Sequence, residues 1–186
     1  YPGYQDFSYH ILFGVKLFQI FELAECHKVP IMFHSGELHH CCSRETRAAG
    51  RGKCGPDGCF VERLQYQAEP RYLGRYAQFF PEAKFIFSHL ANPYFEQLRE
   101  LMIACPNVYT DISGQFLSGS DEDTREYRET IVHEIKKFLA LPKGIDRLMF
   151  ATDFPIQSYA DSVDLIEALG LSNEEKEKIY WRNASR

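Results

Sequence analysis

Three short apolar runs in this sequence end on side chains of the kinds that bind metals. Pro30-Ile-Met-Phe-His34 runs into His34, Lys84-Phe-Ile-Phe-Ser-His89 into His89, and Arg147-Leu-Met-Phe-Ala-Thr-Asp153 into Asp153. Two imidazoles and a carboxylate suit zinc, with manganese or another first-row divalent ion as the alternative. Such an ion with an open position brings the pKa of bound water to about 7 and polarises a carbonyl or carboxylate oxygen. Taken singly, each residue has an ordinary explanation: His34 as a turn residue before Ser35-Gly36, His89 as a core histidine bonded to backbone, Asp153 as a helix cap before Phe154-Pro155. Three strand ends of one kind make a site if the strands are neighbours.

The elements between them favour that arrangement. Short continuous apolar strands alternating with helical patterns are the sign of a parallel sheet covered on both faces, and chemistry in such folds gathers where the strands end. Leu17, Phe21 and Ala24 repeat at helical spacing before the strand that reaches His34. Pro70 to Phe79 predicts a helix before the strand that reaches His89. Asn92-Pro93 offers a cap and a first-turn proline for a helix carrying Tyr94, Leu98, Leu101 and Met102. Asn107 to Ser113 predicts a third strand, Ile131, Ile135, Phe138 and Leu139 a helix, and Leu148 to Thr152 a fourth strand. Val163, Ile166 and Leu169 mark a helix stopped by Gly170, and Ser172 with Glu175 forms a capping box for the last one. Asp121-Glu122-Asp123 reads as a solvated helix cap, and Cys26 and Cys105 as small buried thiols.

At 186 residues, 45% hydrophobic and 15% aromatic, the chain is one globular domain with a real core. Its formal charge of -5 argues against nucleic acid or an anionic membrane as a partner, leaving a small-molecule substrate. No apolar run is long enough to span a bilayer, and Tyr1-Pro2-Gly3-Tyr4 lacks the pattern of a signal peptide, which gives a cytoplasmic expectation.

The run from His34-Ser-Gly36 through His89-Leu-Ala-Asn-Pro93 and Asn107-Val-Tyr-Thr-Asp-Ile-Ser-Gly114 to Ala151-Thr-Asp-Phe-Pro155 and Asn183-Ala-Ser-Arg186 resembles the amidohydrolase-related family. These are metal-dependent (β/α)8 barrels of the TIM type, similar to aminocarboxymuconate-semialdehyde decarboxylase and related hydrolases. The resemblance implies an α/β fold of parallel strands and the hydrolysis or nonoxidative decarboxylation of a small organic acid or amide. It gives His34 the role of a metal ligand, His89 that of polarising substrate or activating water, and Asp153 that of holding the metal and handling a proton. His34, His89 and Asp153 together are the expected metal set, with His89 and Asp153 catalytic. Glu37, Asn92 and Phe154 stand beside these motifs as substrate-lining candidates. The family's first strand carries a His-x-His pair that none of the seven histidines here forms. Residues 1–186 therefore read as one partial barrel, its second half, strands five to eight, interrupted by a long loop insertion at about 36–69.

That loop holds His39-His-Cys-Cys42 and Cys54-Gly-Pro-Asp-Gly-Cys59. Its thiols at Cys41, Cys42, Cys54 and Cys59 read first as unmodified, with a structural zinc or, in an oxidising compartment, disulfides as alternatives. The functional alternative to an enzyme is a noncatalytic half-barrel that self-associates. Either way, two strand edges and apolar surface imply a homo-oligomer or association with the missing half-barrel.

Overall fold

The apolar runs form strands because β-branched and aromatic residues fit a pleated, buried surface. In the computed structural model, which describes residues 11–39, 49 and 59–185, they are β1 (Ile31–Phe33), β2 (Phe85–Phe87), β3 (Val108–Asp111) and β4 (Leu148–Met149). All four are parallel and lie in chain order, β1-β2-β3-β4. Ile31, Phe85 and Val108 are level across the sheet, as are Phe33, Phe87, Thr110 and Leu148 two residues on. Successive side chains alternate faces, so these two rows share one. That face is the core.

The helices are α1 (Ile11–His27), α2 (Phe60–Leu64), α3 (Pro70–Phe79), α4 (Phe95–Ala104), α5 (Arg125–Leu139), α6 (Tyr159–Glu167) and α7 (Asn173–Glu177); α1, α3, α4, α5 and α6 pack side chains into that core, Val61 of α2 lies in a separate cluster, and α7 buries no residue. In α3, Tyr72, Leu73, Tyr76 and Ala77 recur at helical spacing and are buried, with Pro70 in the first turn. Phe21 of α1 sits at the centre of an aromatic group, its ring 4.8 Å from Tyr76, 5.6 Å from Phe85 and 6.0 Å from Phe33. Asn107, just before β3, turns its amide toward the carbonyls of Ala77, Phe80 and Ala83 at 2.9–3.0 Å, tying the end of α3 to the sheet. Ser172 and Glu175 form the expected capping box.

Several local expectations give way. Asn92 does not cap α4, which starts at Phe95. Its amide instead donates to Gln115 Oε1 in the next loop and Tyr127 Oη on α5, tertiary contacts that outcompete a local cap. Asp123 is no solvated cap, because Thr124 caps α5 and the Asp123 side chain is only 5% exposed. Arg128 holds it in a two-pronged contact at 2.6 and 2.8 Å, reaches Asp161 at 2.6 Å and lies over the Phe116 ring. Cys26 is exposed on α1, whereas Cys105 is buried. The last part of the 36–69 stretch is helical, over Phe60–Leu64 and a 3-10 turn Gln65–Ala68, while His40, Cys41, Cys42 and Cys54 lie outside the described residues. Cys59 is buried in a small cluster with Leu38, Val61 and Ala68.

The opposite face of the sheet carries Met32, Ile86 and Tyr109, also level with one another. Met32 is 59% exposed. Ile86, Tyr109 and Met149 line a cavity of about 150 Å³ with Lys28, Pro30 and Asn183. No helix among the described residues is long and apolar enough to cross a membrane.

Two outcomes follow from this packing. Replacing Asn107 by Ala takes a donor from three carbonyls, of which Phe80 keeps the Ala83 N–H, and urea unfolding is expected to show a loss of about 1–3 kcal/mol. The hydrogen bond from Arg128 holds the Asp123 carboxyl below its ordinary value of 3.8. A depressed folded-state pKa stabilises above the unfolded value and is lost as pH falls through the folded one. Thermal melts of wild type should therefore drop below about pH 4. In Arg128→Met, which lowers stability at neutral pH, that part of the acid dependence should flatten.

Candidate active site

The register of the strands fixes where the chain leaves the sheet. Phe33, Phe87 and Thr110 are level, so His34, Ser88 and Asp111 all come next at one rim, and His89 follows Ser88 at once. His89 Nε2 lies 3.2 Å from His34 Nδ1, with ring centroids 4.9 Å apart. Asp153 leaves β4 on the same rim. A Cβ built on Gly114 would meet His89 Nδ1 at 2.8 Å and Asp153 Oδ2 at 3.0 Å, so the imidazole and the carboxylate flank one glycine. The three residues expected to share a mouth do share it.

The backbone here is unusual. His89, Leu90 and Ala91 have φ of 64°, 52° and 54°, and Asp153 has 59°. A left-handed conformation costs a residue with a Cβ roughly 1–2 kcal/mol, so four such residues persist only because their surroundings hold them. Asp111, 2% exposed, supplies much of this hold on the His89 loop. Its Oδ1 accepts the His89 N–H at 3.1 Å, the Ser113 N–H at 3.0 Å and the Ser113 hydroxyl at 2.5 Å. On the other side, Gly36 at φ 105° comes so close to the next loop that a Cβ would sit 2.3 Å from the Asn92 carbonyl oxygen. Glu37 N–H donates to that oxygen at 2.7 Å.

Hydrogen bonding sets the state of the two rings. A carbonyl only accepts, so the 3.2 Å contact of His34 Nε2 with the Glu37 carbonyl requires the hydrogen on Nε2. Likewise the 3.1 Å contact of His89 Nδ1 with the Ser113 carbonyl requires it on Nδ1. The lone pairs of His34 Nδ1 and His89 Nε2 then point at each other. Burial, and next the neighbouring His89, lower the pKa of His34 to about 4, which keeps its ring neutral.

Two nitrogens each about 2.0–2.1 Å from one divalent ion stand roughly 2.8–3.0 Å apart at octahedral angles and about 3.3–3.4 Å apart at tetrahedral ones. The observed 3.2 Å falls between the two. The pair supplies two ligands, and Asp153, expected as a third, stands instead beside Gly114 on the Nδ1 side of His89. Among the described residues, no group of three or more His, Cys, Asp or Glu side chains is arranged to hold a metal.

Of the other expected residues, Glu37 is exposed at the rim, and Phe154 stands out beside Asp153 at 70% exposed. Asn92 is half-buried and spends its amide on Gln115 and Tyr127. Sequence reasoning passed over Asp111 and Ser113, although Thr110-Asp-Ile-Ser-Gly114 is a further strand end bearing a carboxylate. It also missed a buried amide chain in which Gln115 N–H donates to Gln157 Oε1 at 2.9 Å and Gln157 Nε2 donates to Ser162 at 2.7 Å. That chain anchors the loop bearing Asp153.

Comparison with known proteins gives this geometry a context. Among solved structures, the fold resembles an uncharacterized TIM-barrel protein from Bordetella bronchiseptica, with a TM-score of 0.59 and 20% identity over 91% of this chain and 49% of that one. It resembles 5-carboxyvanillate decarboxylase from Sphingomonas paucimobilis at a TM-score of 0.52 and 17% identity, covering 90% and 51%. A third is dihydroxybenzoic acid decarboxylase from Polaromonas sp. JS666, solved with bound manganese and 2-nitroresorcinol, at 0.50 and 21%, covering 88% and 51%. The chain thus spans about half the length of each, and its four parallel strands are part of a TIM-type barrel. Curated protein sequences give no match. A family model described as amidohydrolase matches residues 2–186, nearly end to end, and so the chain belongs to the amidohydrolase family.

Proposed function

We propose that this chain forms half of a divalent-metal enzyme that hydrolyses or decarboxylates, without oxidation, a small organic acid or amide. The observation that carries this is the pair of imidazole lone pairs, His34 Nδ1 and His89 Nε2, facing each other at 3.2 Å while each ring's other nitrogen is held by a carbonyl. Those two atoms are the ones that would hold manganese or zinc. When bound, such an ion supplies a polarised carboxylate or carbonyl oxygen, or a water acidic enough to act at neutral pH. The manganese in the Polaromonas decarboxylase supports this assignment.

The chain's own groups divide the remaining work. Asp153 is exposed and stands across Gly114 from His89, where its carboxylate can take a proton from an attacking water or return one to the carbon that loses carbon dioxide. His89 is fixed in direction by Ser113 and cannot swing away. Glu37 and Phe154 flank the opening and are the side chains a substrate would meet first, with Asn92 holding the adjoining loops together. Decarboxylation is the favoured branch, because two of the similar structures are decarboxylases of hydroxylated aromatic acids.

The open face of the sheet is the second part of the proposal. A parallel sheet is stable with both faces covered, yet Met32 is exposed and Ile86 and Tyr109 are half-exposed beside it. In a solution of this chain alone, the occupant is a second copy, with β4 of each laid along β1 of the other to close eight strands. Closed two-fold pairing of this kind satisfies both edges at once.

Equilibrium dialysis with Mn²⁺ should show binding that falls at least about tenfold in His34→Ala and in His89→Ala, and is unchanged in Cys59→Ala. Retained binding in both histidine variants would sink the assignment. In protein with a complete barrel, Gly114→Ala should place a methyl between His89 and Asp153 and cut kcat/KM by about a hundredfold or more, with circular dichroism unchanged. Light scattering should give a dimeric mass for the chain alone, weakened by Met32→Lys. A cooperatively folded monomer would rule the pairing out.

A further inference from the structure

The Asp111 carboxylate is buried, touches neither of the two facing ring nitrogens, and stands one hydroxyl away from the imidazole that the proposed chemistry uses. We propose that Asp111 is a positioning residue that sets the tautomer of His89 through Ser113, so that the His89 Nε2 lone pair, and not an N–H, faces His34. This rests on the proposed metal site, while the hydrogen bonds it describes are made by the chain's own groups.

Ser113 Oγ lies 2.5 Å from Asp111 Oδ1 and 2.8 Å from His89 Nδ1, and a hydroxyl has one hydrogen to give. The carboxylate has none to offer and is the stronger acceptor, so the hydroxyl hydrogen goes to Asp111. Ser113 Oγ then presents a lone pair to His89 Nδ1. The carbonyl of the same residue does so too, at 3.1 Å. Both contacts require the hydrogen on Nδ1, which leaves Nε2 bare. Were the hydroxyl to turn instead toward the ring, Nδ1 would become the acceptor and Nε2 would carry the hydrogen. His89 would then donate to His34 Nδ1, and the space between the two rings would be closed to a cation.

The same carboxylate oxygen also accepts the backbone N–H of His89 and of Ser113. It therefore fixes the origin of the imidazole, its partner and the direction of the hydroxyl together. With Asp111 2% and Ser113 4% exposed, water has little access to offer the hydroxyl another acceptor.

The test is nitrogen-resolved NMR of the histidine rings in metal-free protein at about pH 8.5, well above the ordinary imidazole value. The His89 signals are assigned by their loss in His89→Gln. Wild type is expected to show the Nδ1–H tautomer, and Asp111→Asn to move a measurable fraction to Nε2–H. Adding Ser113→Ala to Asp111→Asn should bring Nδ1–H back, since only the carbonyl then remains. A purely structural role for Asp111 would not produce that rescue. Mn²⁺ affinity should follow, falling about 10–100-fold in Asp111→Asn and recovering most of it in the double variant.

An Nε2–H tautomer in wild type, an unchanged tautomer in Asp111→Asn, or no return in the double variant would each overturn the proposal. If Asp111→Asn does not fold, the Ser113 hydroxyl proton of wild type decides. A slowly exchanging resonance that Ser113→Ala removes supports the proposal, and a scalar coupling from that proton to His89 Nδ1 overturns it. Absence of any Mn²⁺ binding in wild type would instead defeat the metal assignment and leave the tautomer result standing.

Discussion

Everything at the rim follows from the parallel register of the strands. Because Phe33, Phe87 and Thr110 are level, the chain emerges at one height three times over, and His34, His89 and Asp111 meet without any long side chain having to reach. A slip of one residue in β2 would turn its core face outward, burying Ile86 and exposing Phe85 and Phe87, both now fully buried. The cost of that slip, two fully buried phenylalanines, is what keeps the two imidazoles together. Packing on the helix side thus enforces the geometry at the strand ends.

Beyond the strand ends, the chain departs from its favoured conformations and is held there by polar contacts. Three consecutive left-handed residues at His89–Ala91 and one at Asp153 cost several kcal/mol between them. Asp111 offsets part of this at the first loop, and the Gln115–Gln157–Ser162 chain ties down the loop that follows Asp153. Farther out, Arg128 joins the segments on either side through Asp123 and Asp161. Strain is concentrated where chemistry is proposed, and the buried polar groups are concentrated around the strain.

The sequence revealed the parts that depend on pattern and hid those that depend on partners. Four apolar runs separated by helical periodicities were enough to expect a parallel α/β sheet, and Ser172 with Glu175 announced its own cap. That His34, His89 and Asp153 share a rim was legible because each ends such a run. Asp111 ends one as well, but it lies on a strand whose alternation already accounted for it, and nothing local shows that its acceptors are claimed by residues 22 positions away. Asn92 illustrates the converse: Asn-Pro is a fair helix start in isolation, and it lost to two hydrogen bonds that exist only once its loop meets the Gln115 loop and α5. Asp123 read as solvated for the same reason, since its partner Arg128 buries it only after α5 has formed.

The order of these dependencies explains how one rim can serve different reactions within a family. The strands fix His34 and His89 to within a contact distance, the Glu37 backbone carbonyl holds the first ring, and buried Asp111 and Ser113 fix the direction of the second, so that the geometry between the rings is set by backbone and buried groups. The exposed side chains of Glu37, Asp153 and Phe154 sit on the loops and bear none of that packing. Changing them alters what approaches the two nitrogens without moving the nitrogens themselves. Substrate choice and ring geometry are therefore separable by burial, and the separation falls where the strands give way to loops.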